Sequence, residues 1–219
     1  MEKMPYRADL DGIAETLAAS VTTVAAAGWR GALPVLRGRQ VILREMRVSD
    51  APSLFAMLTT EDVSRFISPP PATVEGFERF IVWAERQRLA GAYVCFAVTL
   101  EGSDGAIGIF QLRELEPGFG TAEWGFAIGS PYWGSGAFQE GAELMATFAF
   151  DVVGVHRLEA RAAVRNGRGN GALRKFGAVQ EGVLRRSFLK NGEYLDQVLW
   201  TILKEQWREA KVVWSERLH

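Results

Sequence analysis

Residues 128–145 read IGSPYWGSGAFQEGAELM: a strand end runs through Pro131, Trp133 and two close glycines straight into an amphipathic helix. Glycines cluster like this where a backbone must approach a ligand closely. A helix N-terminus directly afterwards makes phosphate the natural ligand. Three phosphate-binding arrangements compete. A nucleoside-triphosphate loop needs G-x4-G-K-[S/T]; Gly129 and Gly134 have the spacing, but Ser135 stands where the lysine belongs. A dinucleotide fingerprint needs G-x-G-x-x-G; Gly134 and Gly136 fit, Gln139 replaces the third glycine, and antiparallel strands precede the helix. The third is a diphosphate held by the amides of Gly134, Ser135, Gly136, Ala137 and Phe138, with the helix dipole favouring its charge. A tight turn without a ligand is the plain alternative.

The strand leading into the turn, TAEWGFAI (121–128), bears on that choice. Period-2 alternation puts Ala122, Trp124, Phe126 and Ile128 on one face and Glu123, Gly125 and Ala127 on the other. The first face reads as core. The second carries one carboxylate and then two residues with almost no side chain, which leaves room beside the strand. Glu123 at the edge of such room is a candidate proton acceptor. An ion pair between Glu123 and an arginine of a neighbouring strand is the competing reading.

Outward from this segment the pattern is that of a mixed α/β domain. Strands are predicted at 40–46, 93–100, 105–113, 121–128, 156–164, 178–187 and 195–203, and helices at 49–59, after the Pro-rich loop, at 136–152 and at 170–176. The helix after the loop carries Phe77, Phe80, Ile81 and Ala84 on one stripe. Residues 9–27 are Ala-rich at helical spacing and GWRGALP (28–34) breaks the pattern, so 1–34 reads as a helical extension and 35–219 as the main domain. The tail repeats Leu203, Trp207, Ala210, Trp214 and Leu218 as a helical packing stripe.

Composition excludes several classes. A formal charge of -1 argues against broad nucleic-acid binding. Cys95 is the only cysteine, and the histidines are His156 and the terminal His219, which argues against a zinc site and, unless His156 serves it, a Ser-His-Asp site. No run reaches the ~18–20 apolar residues of a membrane span. The N-terminus lacks a signal-peptide core. The expectation is a cytoplasmic protein, free of metal and membrane, acting through carboxylates, backbone dipoles and positioning.

YWGSGAFQEGAELM and the residues after it, through HRLEAR (156–161), Asn166 and NGEYLDQVLW (191–200), resemble the GCN5-related N-acetyltransferases (GNAT), closest to the ribosomal-protein N-terminal (RimJ/RimL-like) branch. The likeness runs from about Val35 to Leu203. It implies a GNAT fold: a mostly antiparallel sheet of six to seven strands, flanked by helices and splayed between the fourth and fifth (121–128 and 156–164). It implies acetyl-coenzyme A as co-substrate, its diphosphate on Trp133–Phe138 and its pantetheine arm along the backbone of Phe126, Ala127 and Ile128. Asn166 stands where the family's asparagine meets the cofactor arm, and Asn170 is assigned to the cofactor site with it. The chain departs from the family at Pro131, where a Gln or Arg is common, at Gly169, where some relatives carry a thiolate-protonating Ser, at Phe188, at or next to a Glu of some relatives, and in having no Tyr over 170–176.

The resulting expectation is direct acetyl transfer to a primary amine, on a protein N-terminus or a small molecule. Glu123 accepts the proton through water, and Asn166 orients the cofactor. The partner set is the acceptor alone, in a monomer or homodimer. A non-catalytic acyl-coenzyme A binding module, or an acyltransferase of other acyl specificity, is the alternative. The 60–76 loop and the 186–194 hairpin are expected to choose the acceptor.

Overall fold

The computed structural model describes residues 28–209. The arm read at 9–27 and the tail positions Ala210, Trp214 and Leu218 lie outside the described residues. The eight strands are β1 (Leu36–Arg37), β2 (Val41–Glu45), β3 (Tyr93–Leu100), β4 (Gly108–Glu114), β5 (Thr121–Ile128), β6 (Arg157–Ala163), β7 (Val179–Lys190) and β8 (Glu193–Leu203). The helices are α1 (Ala51–Leu58), α2 (Glu61–Ser64), α3 (Val74–Leu89), α4 (Ala137–Thr147) and α5 (Gly167–Phe176). The sheet order is β1-β2-β3-β4-β5-β6-β8-β7, antiparallel throughout except at β5–β6. This is the mixed, mostly antiparallel sheet expected, with the two-residue β1 added. α2, four residues inside the expected loop, is also additional.

Local chemistry accounts for the boundaries. The Thr73 hydroxyl accepts the Gly76 amide at 3.0 Å and starts α3, whose last turn carries Arg86 and Arg88 beside the negative end of its dipole. Glycines with positive φ stop two other segments, Gly154 (φ 88) after α4 and its extension and Gly177 (φ 97) after α5. The helix expected at 136–152 is α-helical only to Thr147 and continues as a π-helix over Phe148–Val153. Phe148, Ala149 and Phe150 are buried in succession, which one stripe of a regular α-helix does not provide.

Two cores flank the sheet. On one face Val94, Phe96, Phe110, Leu112, Trp124 and Ile128 meet α4, its π-helical extension and α5 through Met145, Phe148, Leu173 and Phe176. Trp29 and Leu33, in the segment 28–34 read as the end of the extension, join this core, with Trp29 edge-on to Phe119 at 5.6 Å. On the other face Cys95, Ala97 and Ala127 lie under Leu54, Leu58, Phe77, Ile81 and Ala84 of α1 and α3. A Cβ at Gly141 would stand 2.5 Å from the Phe110 ring, so glycine there sets how closely α4 approaches the sheet.

Candidate active site

The parallel pairing of β5 and β6 covers only Thr121–Arg157, Ala122–Leu158 and Glu123–Glu159. Beyond Glu123 the two strands part, while β5 remains paired with β4 as far as Ile128. The ladder therefore ends in mid-sheet and leaves the β6-facing edge of 124–128 without a strand partner. Backbone N–H and C=O groups on such an edge accept another extended chain.

A cleft of about 590 Å³ opens there. Its walls are Phe126, Ala127 and Ile128 of β5, the turn residues Trp133, Gly134 and Gly136, then Phe138 and Gln139 of α4, and Asn166 to Gly169 with Gly171 at the start of α5. Val63, Arg65, Phe66 and Ile67 line it as well. Gly134 (φ 79) and Gly136 (φ 92) occupy the left-handed region, which bends the chain so that α4 begins at the cleft. The first helical amides, 137 to 139, precede the first intrahelical bond, from Glu140 N–H to Gly136 O. The Glu140 carboxylate beside them is engaged elsewhere, accepting the amides of Arg39 and Gln40. This combination suits a diphosphate.

Trp133 is fixed by its indole N–H, which donates to Ile128 O at 2.8 Å. The Arg168 guanidinium lies over the same ring at 4.2 Å from its centroid. Arg168, Arg65 and Lys175 are the cations of the lining, and Asp62 is its carboxylate. Sequence reasoning passed over all four. Arg168 lies two residues from each of two recognised asparagines, but nothing in the sequence pairs it with Trp133.

Of the residues singled out from sequence, Phe126, Ala127, Ile128, Trp133, Gly134, Gly136, Phe138 and Asn166 line the cleft together; Glu123, Ser135, Ala137 and Asn170 do not. Ala137 is buried beneath the turn, and the Ser135 hydroxyl donates to Tyr132 O at 2.7 Å. Asn166 caps α5, its side-chain oxygen accepting the Gly169 amide at 2.9 Å. A Cβ at Gly169 would stand 2.5 Å from the Asn166 amide nitrogen, so this cap leaves no space for a serine at 169. Asn170 is a strut: its side-chain amide donates to Ala163 O and Asn166 O and accepts the Trp200 indole N–H at 2.9 Å.

Glu123 stands at the branch point, its side chain one-fifth exposed, bonded to Arg113 of β4 and 3.3 Å from Arg161 of β6. The open space read beside it is partly filled, because a Cβ on Gly125 would meet the Gln111 side chain at 2.9 Å and Ala127 is buried. Asp196 accepts the Arg186 amide at 2.7 Å, at a break in β7–β8 register. His156 is exposed, 3.7 Å from Glu205. Among the described residues no His, Cys, Asp and Glu cluster suits a metal ion, and no helix is long and apolar enough to cross a membrane.

Comparison with known proteins bears on the same region. The family described as "Acetyltransferase (GNAT) domain" matches residues 40–179. The Bacillus subtilis "Uncharacterized N-acetyltransferase YoaA" is 26% identical over 176 residues, covering 78% of this chain and 97% of its own. A GCN5-related N-acetyltransferase from Brucella melitensis superposes with a TM-score of 0.69 at 26% identity, over 80% of each chain. The Mycobacterium smegmatis RimJ in complex with CoA-disulfide shares the fold at a TM-score of 0.71 and 20% identity, over 79% of this chain and 87% of that one.

Proposed function

This chain belongs to the GNAT acetyltransferase family, and from that premise we propose that it carries the acetyl group of acetyl-coenzyme A to a primary amine by direct attack in a ternary complex. The observation that carries the reading is the edge of β5 left open after Glu123, leading to a glycine turn at a helix N-terminus. The turn amides, helped by Arg168 and Lys175, hold the diphosphate. The β5 edge at Phe126–Ile128 pairs with the extended arm and aims the thioester into the cleft.

The co-substrate supplies an activated acyl group with a good thiol leaving group. The amine nitrogen bonds to the acyl carbon, the carbon–sulfur bond breaks, the ammonium proton leaves through water to Glu123, and water protonates the thiolate. Fixing both reactants contributes about 7–11 kcal/mol. One β5 amide donating to the carbonyl oxygen adds about 3 kcal/mol. Glu123 shares its carboxylate with Arg113 and Arg161, and attack on the acyl carbon needs the amine lone pair, so the amine reacts in its neutral form. The acceptor is a protein N-terminus, as in the ribosomal-protein branch that residues 132–200 resemble, or a small molecule.

The ion pairing of Glu123 also favours a second reading, an acyl-coenzyme A binding module without turnover. Calorimetry with acetyl-coenzyme A, followed by thiol release with a panel of primary amines, separates the two. Binding with thiol release is the expected result. Binding without release on any amine supports the module, and no binding overturns both.

A further inference from the structure

The β7–β8 hairpin runs past the end of its neighbour. β6 stops at Ala163, opposite Gln197, whereas β7 and β8 pair onward through Phe188–Leu195 to Lys190–Glu193. Val164 N–H donates to Asp196 O at 2.9 Å and ties this overhang to the end of β6. The overhang thus rises from the β6 bank of the cleft, at the end where β5 and β6 have parted.

The opposite bank is built from β5 and α1. A Cβ at Gly129 would meet Met57 of α1, and from α1 the chain passes through α2 into residues 65–67. The amides of Ser64 and Arg65 donate only locally, to Thr60 O and Glu61 O. Lys190 joins the banks. Its ammonium donates to Ser64 O at 2.9 Å and to Ile67 O at 2.9 Å. It is half-buried, makes no ion pair among the described residues, and burial lowers its pKa. Two of the three ammonium donors are thereby spent on holding the loop. The loop it holds supplies Val63, Arg65, Phe66 and Ile67 to the cleft wall.

We propose that the Lys190 clasp closes the acceptor end of the cleft into a passage, so that the acceptor is a small free amine entering end-on rather than an amine on the surface of a folded protein. The Asp62 carboxylate in the lining suits the positive charge such an amine carries before it is deprotonated. The inference rests on the acetyl-transfer reading and narrows it. Lys190 is a positioning residue: it shapes the passage and touches no reacting atom.

The test compares wild type, Lys190→Met and Lys190→Arg, using acetyl-coenzyme A with short primary alkylamines and, as the bulky acceptor, native lysozyme. In the Met variant the alkylamine KM should rise about 5-fold or more while the acetyl-coenzyme A KM stays within about twofold, and the rate on lysozyme relative to alkylamines should rise about 10-fold. The Arg variant should keep the wild-type ratio. Amide exchange over 61–70 should quicken about 10-fold in the Met variant and stay unchanged over β3, which also verifies folding. Turnover with an unaltered acceptor ratio in Lys190→Met, or unaltered exchange over 61–70, overturns the clasp alone. Acetyl-coenzyme A binding with no thiol release in the wild type sinks the transfer reading and the acceptor restriction with it.

Discussion

Arg168 and Glu123 mark the two ends of what a single residue contributes to this site. Arg168 is stacked on an indole that is itself bonded to β5, so its charge is held beside the turn at small entropic cost. Arg168→Ala is expected to weaken coenzyme A binding about 10-fold, the loss of one charge-assisted contact, with no change for pantetheine, which lacks phosphate. Calorimetry on both ligands checks this, and equal losses would assign Arg168 to packing. Glu123→Gln should lower kcat about 10- to 100-fold, below a full general-base effect because the carboxylate is shared with Arg113 and Arg161. Its affinity for acetyl-coenzyme A should change less than about twofold; wild-type turnover would remove Glu123 from the mechanism. The carboxylate was legible from strand alternation, and its ion pairs were the alternative set beside it. Arg168 was not, because its partner lies 35 positions earlier on another element. Asn170 misleads for a related reason: a helical asparagine facing Trp200 and one facing a ligand are indistinguishable until β8 is in place.

At the scale of elements, the glycine before α4 and a glycine inside α5 do different work. Gly136 has φ 92, a conformation that costs an L-residue about 1–2 kcal/mol. Gly136→Ala should therefore lower Tm and also weaken coenzyme A binding, since the turn amides shift with it. Gly171 lies inside α5, and a Cβ there meets nothing within 4 Å. Gly171→Ala should raise stability by about 0.8–1 kcal/mol through helix propensity, read in the same thermal melts. A fall in Tm for both would show that α5 is constrained by something besides its backbone. The same contrast explains which elements were readable. β3 and β5 emerged with the boundaries expected, because β-branched and aromatic residues alternate there between plain turn signals. The π-helix over Phe148–Val153 did not, since its widening answers the burial of three consecutive residues by the sheet beneath, which no local period announces. α2 is too short for any period, and the Lys190 bonds that fix its end come from more than 120 positions later.

For the molecule as a whole, the central sheet makes Cys95 a reporter of cooperative opening. It lies on β3, buried between β2 and β4 beneath α1 and α3, and burial pushes its thiol up to about 12 although a hydrogen bond from Tyr93 opposes the shift. The thiolate, which is the reacting species, is thus absent from the folded chain at neutral pH. A native sample should give no fast reaction with a disulfide reagent at pH 8, while the denatured chain should titrate one thiol, its single cysteine. Since folding raises this pKa above the unfolded value of roughly 8.5, the unfolded state binds fewer protons in alkali. The stability contribution is complete below that value and is lost as pH rises toward about 12, so denaturation midpoints should fall over this window. Cys95→Ala should flatten that alkaline slope, because the remaining side chain does not titrate. Reaction of Cys95 in native protein as fast as in urea would mean that β3 opens without global unfolding, and would contradict a strand that contributes to both cores. If the thiol is silent, the reagent that detects released coenzyme A sees product alone, and the protein's own architecture supplies the clean background its proposed activity requires.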